Sequence, residues 1–454
     1  MTELVACTVE HPLPDGRVRL LGAVESVTGA MTEVELDGCK LLVDCGIGQG
    51  AEARRWRFPE AAREAQALLL THGHHDHIGS LPQLLDGGWS GPIVGTAATL
   101  SLARLSLEDS LGMQRWPNRD IRAFLERFDA LRLPVHYDRP ARLVGFGGTV
   151  AFREAGHILG SASVEIRTGR SRVILSGDLG RPEAPILRDP NTTWDDDAPV
   201  DLAVVENTYG DREHTHDHAS IEDTLARVVT ETAARGGKIL VPSFAIGRTQ
   251  TLLWFLDRLG QAGRIPTVPV ALDTPMGLSV TDLYDDHRAL FDRESLGRLA
   301  DGDDPLDFET LFAVKRGKDS ARVRAFDGPM VVIAGSGMCA GGRILGHLRE
   351  GLPDPRNTVL FVGYQAGGTL GARIQRAAPE GATVRIDDEV VPVRAQIASL
   401  RGLSAHADRR ELVAWLRHLP GLRRVALHHG EAAAQRAFVT YAEAALSASP
   451  TTQS

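Results

Sequence analysis

Short apolar runs that end in small or polar residues dominate the first two hundred positions of the chain. Ala67-Leu68-Leu69-Leu70 leads into His72-Gly73-His74-His75-Asp76-His77. Leu41-Leu42-Val43 leads into Asp44-Cys45-Gly46, and Val173-Ile174-Leu175 into Ser176-Gly177-Asp178. Runs of this length read as buried strands, and the polar residues as loops at strand ends, where sites are commonly built. From about Gly210 the rhythm changes. Ser220-Ile221-Glu222-Asp223 reads as a capping box. Ile221, Leu225, Val228 and Val229 follow at helical spacing, and Gly236-Gly237 ends the helix. Lys238 to Pro242 is the next strand and Arg248 to Leu259 the next helix. That β-α alternation predicts a parallel sheet. Near Ala405 the strand-then-polar-loop style returns. Ser447 to Ser454 is small and polar and reads as a frayed tail. No repeat or low-complexity block interrupts the pattern.

Bulk properties narrow the class. The 454 residues, 43% hydrophobic and 24% charged, suffice for a buried core and exceed one ordinary domain, so two are expected. Met1 to Pro14 has no basic stretch followed by an apolar one, so no signal peptide is read. No apolar run approaches the roughly 20 residues needed to span a membrane. Cys7, Cys39, Cys45 and Cys339 are scattered and form no CxxC pair. That fits a reducing cytoplasm and argues against cysteine metal sites. The formal net charge of −9 does not advertise nucleic-acid binding, but local fields outweigh net charge in a cleft.

The histidine run carries the chemistry. Alternate side chains of an extended segment share a face, so His72 and His74 can reach one ion together. Asp76 and His77 then point elsewhere and can serve a second. Imidazole and carboxylate without thiolate suits zinc in an open catalytic site. Further candidates lie in small-residue loops. They are His157 in Gly156-His157-Ile158-Leu159-Gly160-Ser161, Asp178, His406 in Ser404-Ala405-His406-Ala407-Asp408, and His429 in His428-His429-Gly430-Glu431. Taken singly, each also reads as a packed or surface histidine, or as a turn aspartate.

Taken in order, these residues resemble the metallo-β-lactamase superfamily, specifically its β-CASP branch. Asp44, His72 to His77, His157 and Asp178 resemble the superfamily core. Glu206 in Val205-Glu206-Asn207-Thr208-Tyr209-Gly210 matches the acidic motif A, His406 the histidine of motif B, and His429 the histidine of motif C. Family-like blocks lie between them: Pro242 to Arg248, Leu272 to Met276, Ala334 to Met338, and Gly363-Tyr364-Gln365-Ala366 with Gly368-Thr369-Leu370-Gly371. The resemblance runs from about Leu20 to about Glu431. Within that branch the chain resembles the RNA nucleases similar to the pre-mRNA 3′-end cleavage subunit and its bacterial counterparts.

The resemblance implies an α/β architecture. A metallo-β-lactamase αββα sandwich would comprise residues 1–208 and 402–454. A β-CASP domain, a parallel sheet flanked by helices, would be inserted at 209–401, with the active site in a cleft between the two lobes. It implies two zinc ions per chain, one on His72, His74 and His157 and the other on Asp76, His77 and His429, with Asp178 bridging. Asp44 would stand behind them and orient ligands. Such a pair can share a hydroxide and hold a phosphodiester for in-line attack. His406, paired with Glu206, would protonate the leaving 3′-oxygen. Ser243, Arg248, Ser336, Tyr364 and Arg373 would touch RNA. The expected activity is hydrolysis of single-stranded RNA, internally, from an end, or both, by a cytoplasmic protein for which a homodimer is allowed.

Departures and rivals frame that expectation. Thr251 follows Gln250, and Gly367 precedes Gly368, where the family often has acidic residues. His75 takes a slot usually apolar and reads as packed or supporting. His214, His216 and His218 read as a linker loop. Arg248, Arg343 and Arg373 suit phosphate but equally suit a solvated surface. No RNA-recognition module, KH-type extension or aromatic-rich platform is found, so the chain should read backbone and single-strandedness more than base identity. A DNA nuclease of the Artemis type usually lacks the motif C histidine that His429 supplies. The RNase J type carries a further C-terminal domain, whereas this chain ends about twenty residues after Glu431. A metal-silent scaffold that binds RNA or a nuclease would have lost ligands. A small-substrate hydrolase on the same core would not need the insertion, although fold alone does not fix function.

Overall fold

The computed structural model describes residues 2–50, 52–214, 217–377 and 381–447. The chain forms two compact units. One is built from the chain up to Glu213 together with the segment from Ala405 onward, and the other from His214–Ser404.

Two sheets make the first unit. The seven-stranded sheet runs Glu10–Leu13, Gly16–Leu20, Thr32–Leu36, Cys39–Val43, Ala67–Leu69, Ile93–Thr96, Arg132–Val135. It is antiparallel as far as Cys39–Val43 and parallel beyond. The six-stranded sheet runs Glu3–Val5, Arg424–His428, Leu202–Glu206, Arg172–Leu175, Ala162–Arg167, Thr149–Glu154.

The apolar runs are continuous because both faces of these strands are buried. Leu41, Val43, Leu69, Val173, Leu175, Val204 and Ala426 enter one core shared by the two sheets. Leu42, Leu68 and Leu70 point the other way, into a cluster with Leu84, Leu107 and Phe128 from three helices. Ile174, Val205 and Leu427 do the same on the second sheet, against Leu412, Leu416 and Phe438. Helix, sheet, sheet, helix is the αββα sandwich the resemblance implies. Strand order explains how both ends of the chain build it: Arg424–His428 lies between Glu3–Val5 and Leu202–Glu206, parallel to each.

The second unit holds the parallel sheet the β-α alternation predicts. Its order is Leu311–Ala313, Val270–Asp273, Met330–Ala334, Lys238–Pro242, Thr358–Phe361, Gln396–Ser399, and every pairing is parallel. A small antiparallel hairpin, Thr383–Ile386 with Glu389–Pro392, accompanies it. Leu240, Val332 and Val359 pack with Ile344, Leu348 and Ile374 from the helices.

Two readings of the pattern need correction. The helix read from Ser220 spans His218–Ala234 and is capped by Asp217, whose side chain accepts from Ser220 N at 2.9 Å. Asp217 competes better for the cap because its carboxylate takes a free N–H at the positive end of the helix dipole. Of the Glu213 to His218 cluster, Thr215 and His216 lie outside the described residues. His218 is helical, its ring 5.5 Å from that of Phe255, and so is no linker residue. The tail read from Ser447 falls, past that residue, outside the described residues. No helix among the described residues is long and apolar enough to cross a membrane.

Candidate metal centre

Strand ends of the first unit converge on one point. After Ala67–Leu69 the chain runs extended through His72 and His74, then turns into the short helix His75–Ile78. His72 Nε2 and His157 Nε2 lie 3.1 and 3.2 Å from His74 Nδ1. Both approach the same oxygen of Asp178: Oδ2 is 3.5 Å from His72 and 3.6 Å from His157. The helical turn aims Asp76 and His77 differently. With His429 they form a second group whose donor atoms lie within 4.8 Å of one another. His429 Nε2 is 3.5 Å from Asp76 Oδ2. The other oxygen of Asp178, Oδ1, is 3.3 Å from His77 and 3.4 Å from His429. Asp178 therefore offers one oxygen to each group.

Asp44 locks this arrangement from behind. It is buried with φ of 60°, and Oδ1 accepts from Thr71 N at 2.8 Å. Oδ2 accepts from Thr71 Oγ1 and from His77 Nδ1, both at 2.8 Å. That fixes the His77 tautomer and turns Nε2 toward Asp178.

A third pair adjoins the two groups. His406 Nδ1 donates to Glu206 Oε1 at 3.0 Å and stands 3.9 Å from Asp178 Oδ2. Backbone N–H groups of Leu179 and Thr208 hold Glu206 in place at 3.0 and 3.1 Å.

Electrostatics sort these side chains. Burial holds His72 and His157 well below the ordinary histidine range and lowers His74 to about 4, so all three are neutral at physiological pH. Neutral imidazole is the form that binds metal. Burial opposes ionisation of Asp178, but His429, His77 and His72 outweigh it and keep the carboxyl well below its usual range. His77 is pushed the other way: despite burial, Asp178 and Asp44 raise it well above normal. Burial also works against a charged His406, yet Glu206 raises it to about 9.

The donors fit a pair of cations. His77 Nε2, Asp178 Oδ1 and His429 Nε2 are buried and lack a hydrogen-bond partner. Buried polar atoms left unpartnered in this way would be costly unless something else satisfied them. Five imidazoles and two carboxylates with no sulfur match zinc's preferences.

The remaining sequence candidates fall elsewhere. His75 belongs to neither group; its Nε2 lies 3.3 Å from Ser110 Oγ. In the second unit, Ser243 is fully buried and its hydroxyl donates to Phe244 O. Arg248 donates to Val362 O, and Ser336 Oγ accepts from Ala340 N at 2.9 Å. Tyr364 is 73% exposed, and exposed Arg373 donates to Gly368 O. Arg343 is engaged with Asp273 and with the carbonyls of Val314 and Lys315.

Sequence reasoning missed Thr71, which ties Asp44 to the histidine loop, and Thr208, whose hydroxyl is 3.3 Å from His429 Nδ1. Both adjoin recognised motif residues, which is the only signal they carry.

Three family models match the chain: the metallo-β-lactamase superfamily over residues 27–240, the Beta-Casp domain over 249–374, and a Zn-dependent metallo-hydrolase RNA specificity domain over 390–448. The chain belongs to the metallo-β-lactamase superfamily, in its β-CASP branch. Among characterised relatives, it is 40% identical over 417 residues to Ribonuclease TTHA0252 of Thermus thermophilus, covering 91% of this chain and 93% of that one. It is 29% identical over 433 residues to Transcription termination factor FttA of Methanocaldococcus jannaschii, covering 91% of this chain and 67% of that one. A crystal structure of a protein of unknown function from Enterococcus faecalis V583 shares the fold, with a TM-score of 0.56 at 11% identity, covering 92% and 94% of the two chains.

Proposed function

We propose that this chain is a zinc-dependent ribonuclease that hydrolyses phosphodiester bonds of single-stranded RNA. The observation that carries the reading is Asp178, shared one oxygen apiece between two groups of donors, with orphaned buried atoms on the second group. The relative named as a ribonuclease, 40% identical across nearly the whole chain, supports RNA as substrate. We assign one ion to His72, His74 and His157 and the other to Asp76, His77 and His429, with Asp178 between them. Bound there, the pair would neutralise phosphate charge and lower the pKa of water to make a nucleophile near neutrality.

The chain's own residues do the rest. Asp44 holds His77 in the tautomer that presents Nε2. Glu206, fixed by two backbone N–H groups, orients His406 and keeps its proton on at neutral pH. His406 then gives that proton to the departing 3′-oxygen, as a general acid must. The four cysteines are free thiols, which supports a reducing, cytoplasmic setting.

The test is purified protein with labelled single-stranded RNA, single-stranded DNA and duplexes, with and without chelator. Cleavage of single-stranded RNA that stops with chelator is expected; cleavage confined to DNA, or none, would overturn the reading. Elemental analysis after mild purification should give about two zinc ions per chain. Trace metal only, or one ion, would contradict the paired assignment. Protonation of the 3′-oxygen leaves 3′-hydroxyl and 5′-phosphate ends. Mass spectrometry finding 2′,3′-cyclic phosphate would assign the attack to the ribose and remove His406 from this role.

A further inference from the structure

The parallel sheet of the second unit has two chemically opposite edges. Loops at the carboxyl ends of its strands are residues 243–247, 274, 314–316, 335–343, 362–369 and 400–404, and none contains Asp or Glu. Asp273, the last residue of its strand, is fully buried and held by Arg343, His347 and Ser320. Lys315, Arg316, Arg373 and Arg401 are exposed on this edge or on the helix that follows it. Loops at the amino ends carry the acids instead, among them Asp303, Asp307, Glu309, Asp327 and Asp354. In a chain of net charge −9, one acid-free, basic edge is complementary to a polyanion. The carboxyl end of a parallel sheet is also where such folds bind ligands.

That edge carries two exposed aromatic side chains. Phe244 is 41% and Tyr364 73% exposed, on loops that follow adjacent strands, Lys238–Pro242 and Thr358–Phe361. Close packing and hydrogen bonds hold the loops that carry them. Gly337 lies flat against the Phe244 ring: a Cβ there would meet Cδ2 at 2.6 Å, so only glycine permits the contact. A Cβ on Gly363, next to Tyr364, would lie 3.8 Å from the same ring and 3.7 Å from Arg248 Nη1. Gln365 Nε2 pins the loop, donating to Gly337 O at 2.9 Å and to Gly363 O and Tyr364 O at 3.3 Å. Exposed aromatic faces on fixed backbone suit flat, apolar partners, and each nucleobase has such a face.

We propose that Phe244 and Tyr364 form a stacking surface that grips single-stranded RNA by the faces of its bases, with the basic edge holding its phosphates. The inference rests on the ribonuclease reading and deepens it. Stacking distinguishes unpaired from paired bases without reading identity, and it supplies the aromatic device the 5% aromatic composition conceals.

The test is fluorescence anisotropy with the metal-loaded full chain in a His406→Ala background, where turnover is slow. The probes are a labelled RNA strand of about ten nucleotides and the same strand made abasic. Tyr364→Ala should weaken binding of the normal strand about 5–100-fold. Tyr364→Phe and Tyr364→Trp should bind within about twofold of the parent, since the ring and not the hydroxyl is used. The abasic strand should bind weakly and equally to all. In the otherwise wild-type enzyme, Tyr364→Ala should raise KM and leave kcat within about twofold. Unchanged binding by Tyr364→Ala, or an equal loss on the abasic strand, overturns stacking alone. A wild-type enzyme that neither binds nor cuts RNA overturns the ribonuclease reading, and stacking with it.

Discussion

Asp178→Ala is expected to abolish RNA cleavage and to strip metal from both groups at once. The reason is geometric: Oδ2 faces His72 and His157, and Oδ1 faces His77 and His429. Losing a carboxylate that serves only one group would leave the other intact. Losing this one removes an anionic donor from each. It also removes a negative charge from between the two groups, so the variant's field favours cations less. Activity should fall by more than about 100-fold, the upper range for supporting residues behind a metal. Asp44→Asn is the comparison. The Asp44 carboxylate is hydrogen-bonded to His77 and Thr71, and the change should cost about 10–100-fold with metal partly retained. Circular dichroism and zinc content of both variants separate the cases. Full zinc and near-normal cleavage in Asp178→Ala would make it an ordinary turn residue.

Much of this site is legible in sequence because the motifs are local. His72, His74, Asp76 and His77 fall within six residues, and the change from extended chain to helical turn at His75 divides them into two sets. Apolar runs of two to four residues mark the strands that carry them, since both faces of each strand are buried. The parallel sheet of the second unit follows from the same kind of alternation. What short-range pattern does not hold is partnership across the chain. His157, Asp178, His406 and His429 are single residues in small loops, assembled only by strand order; their roles came from family resemblance. The cap at Asp217 was missed because Ser220 and Asp223 mimic a capping signal three residues on. Phe244 and Tyr364 were passed over as a pair because 120 positions separate them, whereas Lys238–Pro242 and Thr358–Phe361 are neighbours in the sheet. The acid-free edge is likewise a property of topology: its loops are scattered in sequence and meet only at one end of the strands.

His406→Ala is expected to keep the metal content and RNA binding of the parent while slowing cleavage by roughly 10²–10⁴-fold. His406 belongs to neither donor group around His74 or His429; its Nδ1 is committed to Glu206 at 3.0 Å. That bond fixes the ring beside Asp178, with Nδ1 3.9 Å from Asp178 Oδ2. Glu206 holds the imidazole charged against its burial, up to about 9. A general acid must be protonated to act, so the rate should fall on the alkaline side, and the variant should lose that limb of its pH profile. The decisive control is the leaving group. Replacing the scissile 3′-oxygen by sulfur makes departure independent of protonation, so a 3′-bridging phosphorothioate RNA should recover much of the loss. Glu206→Gln should reproduce a milder form of the defect, because the amide still accepts from His406 but no longer stabilises its charge. A structural His406 would instead cost folded stability or zinc, and the sulfur substrate would give no rescue. That result would leave proton delivery to water or to Glu206, which has a ligand atom within 4.8 Å of one on Asp178.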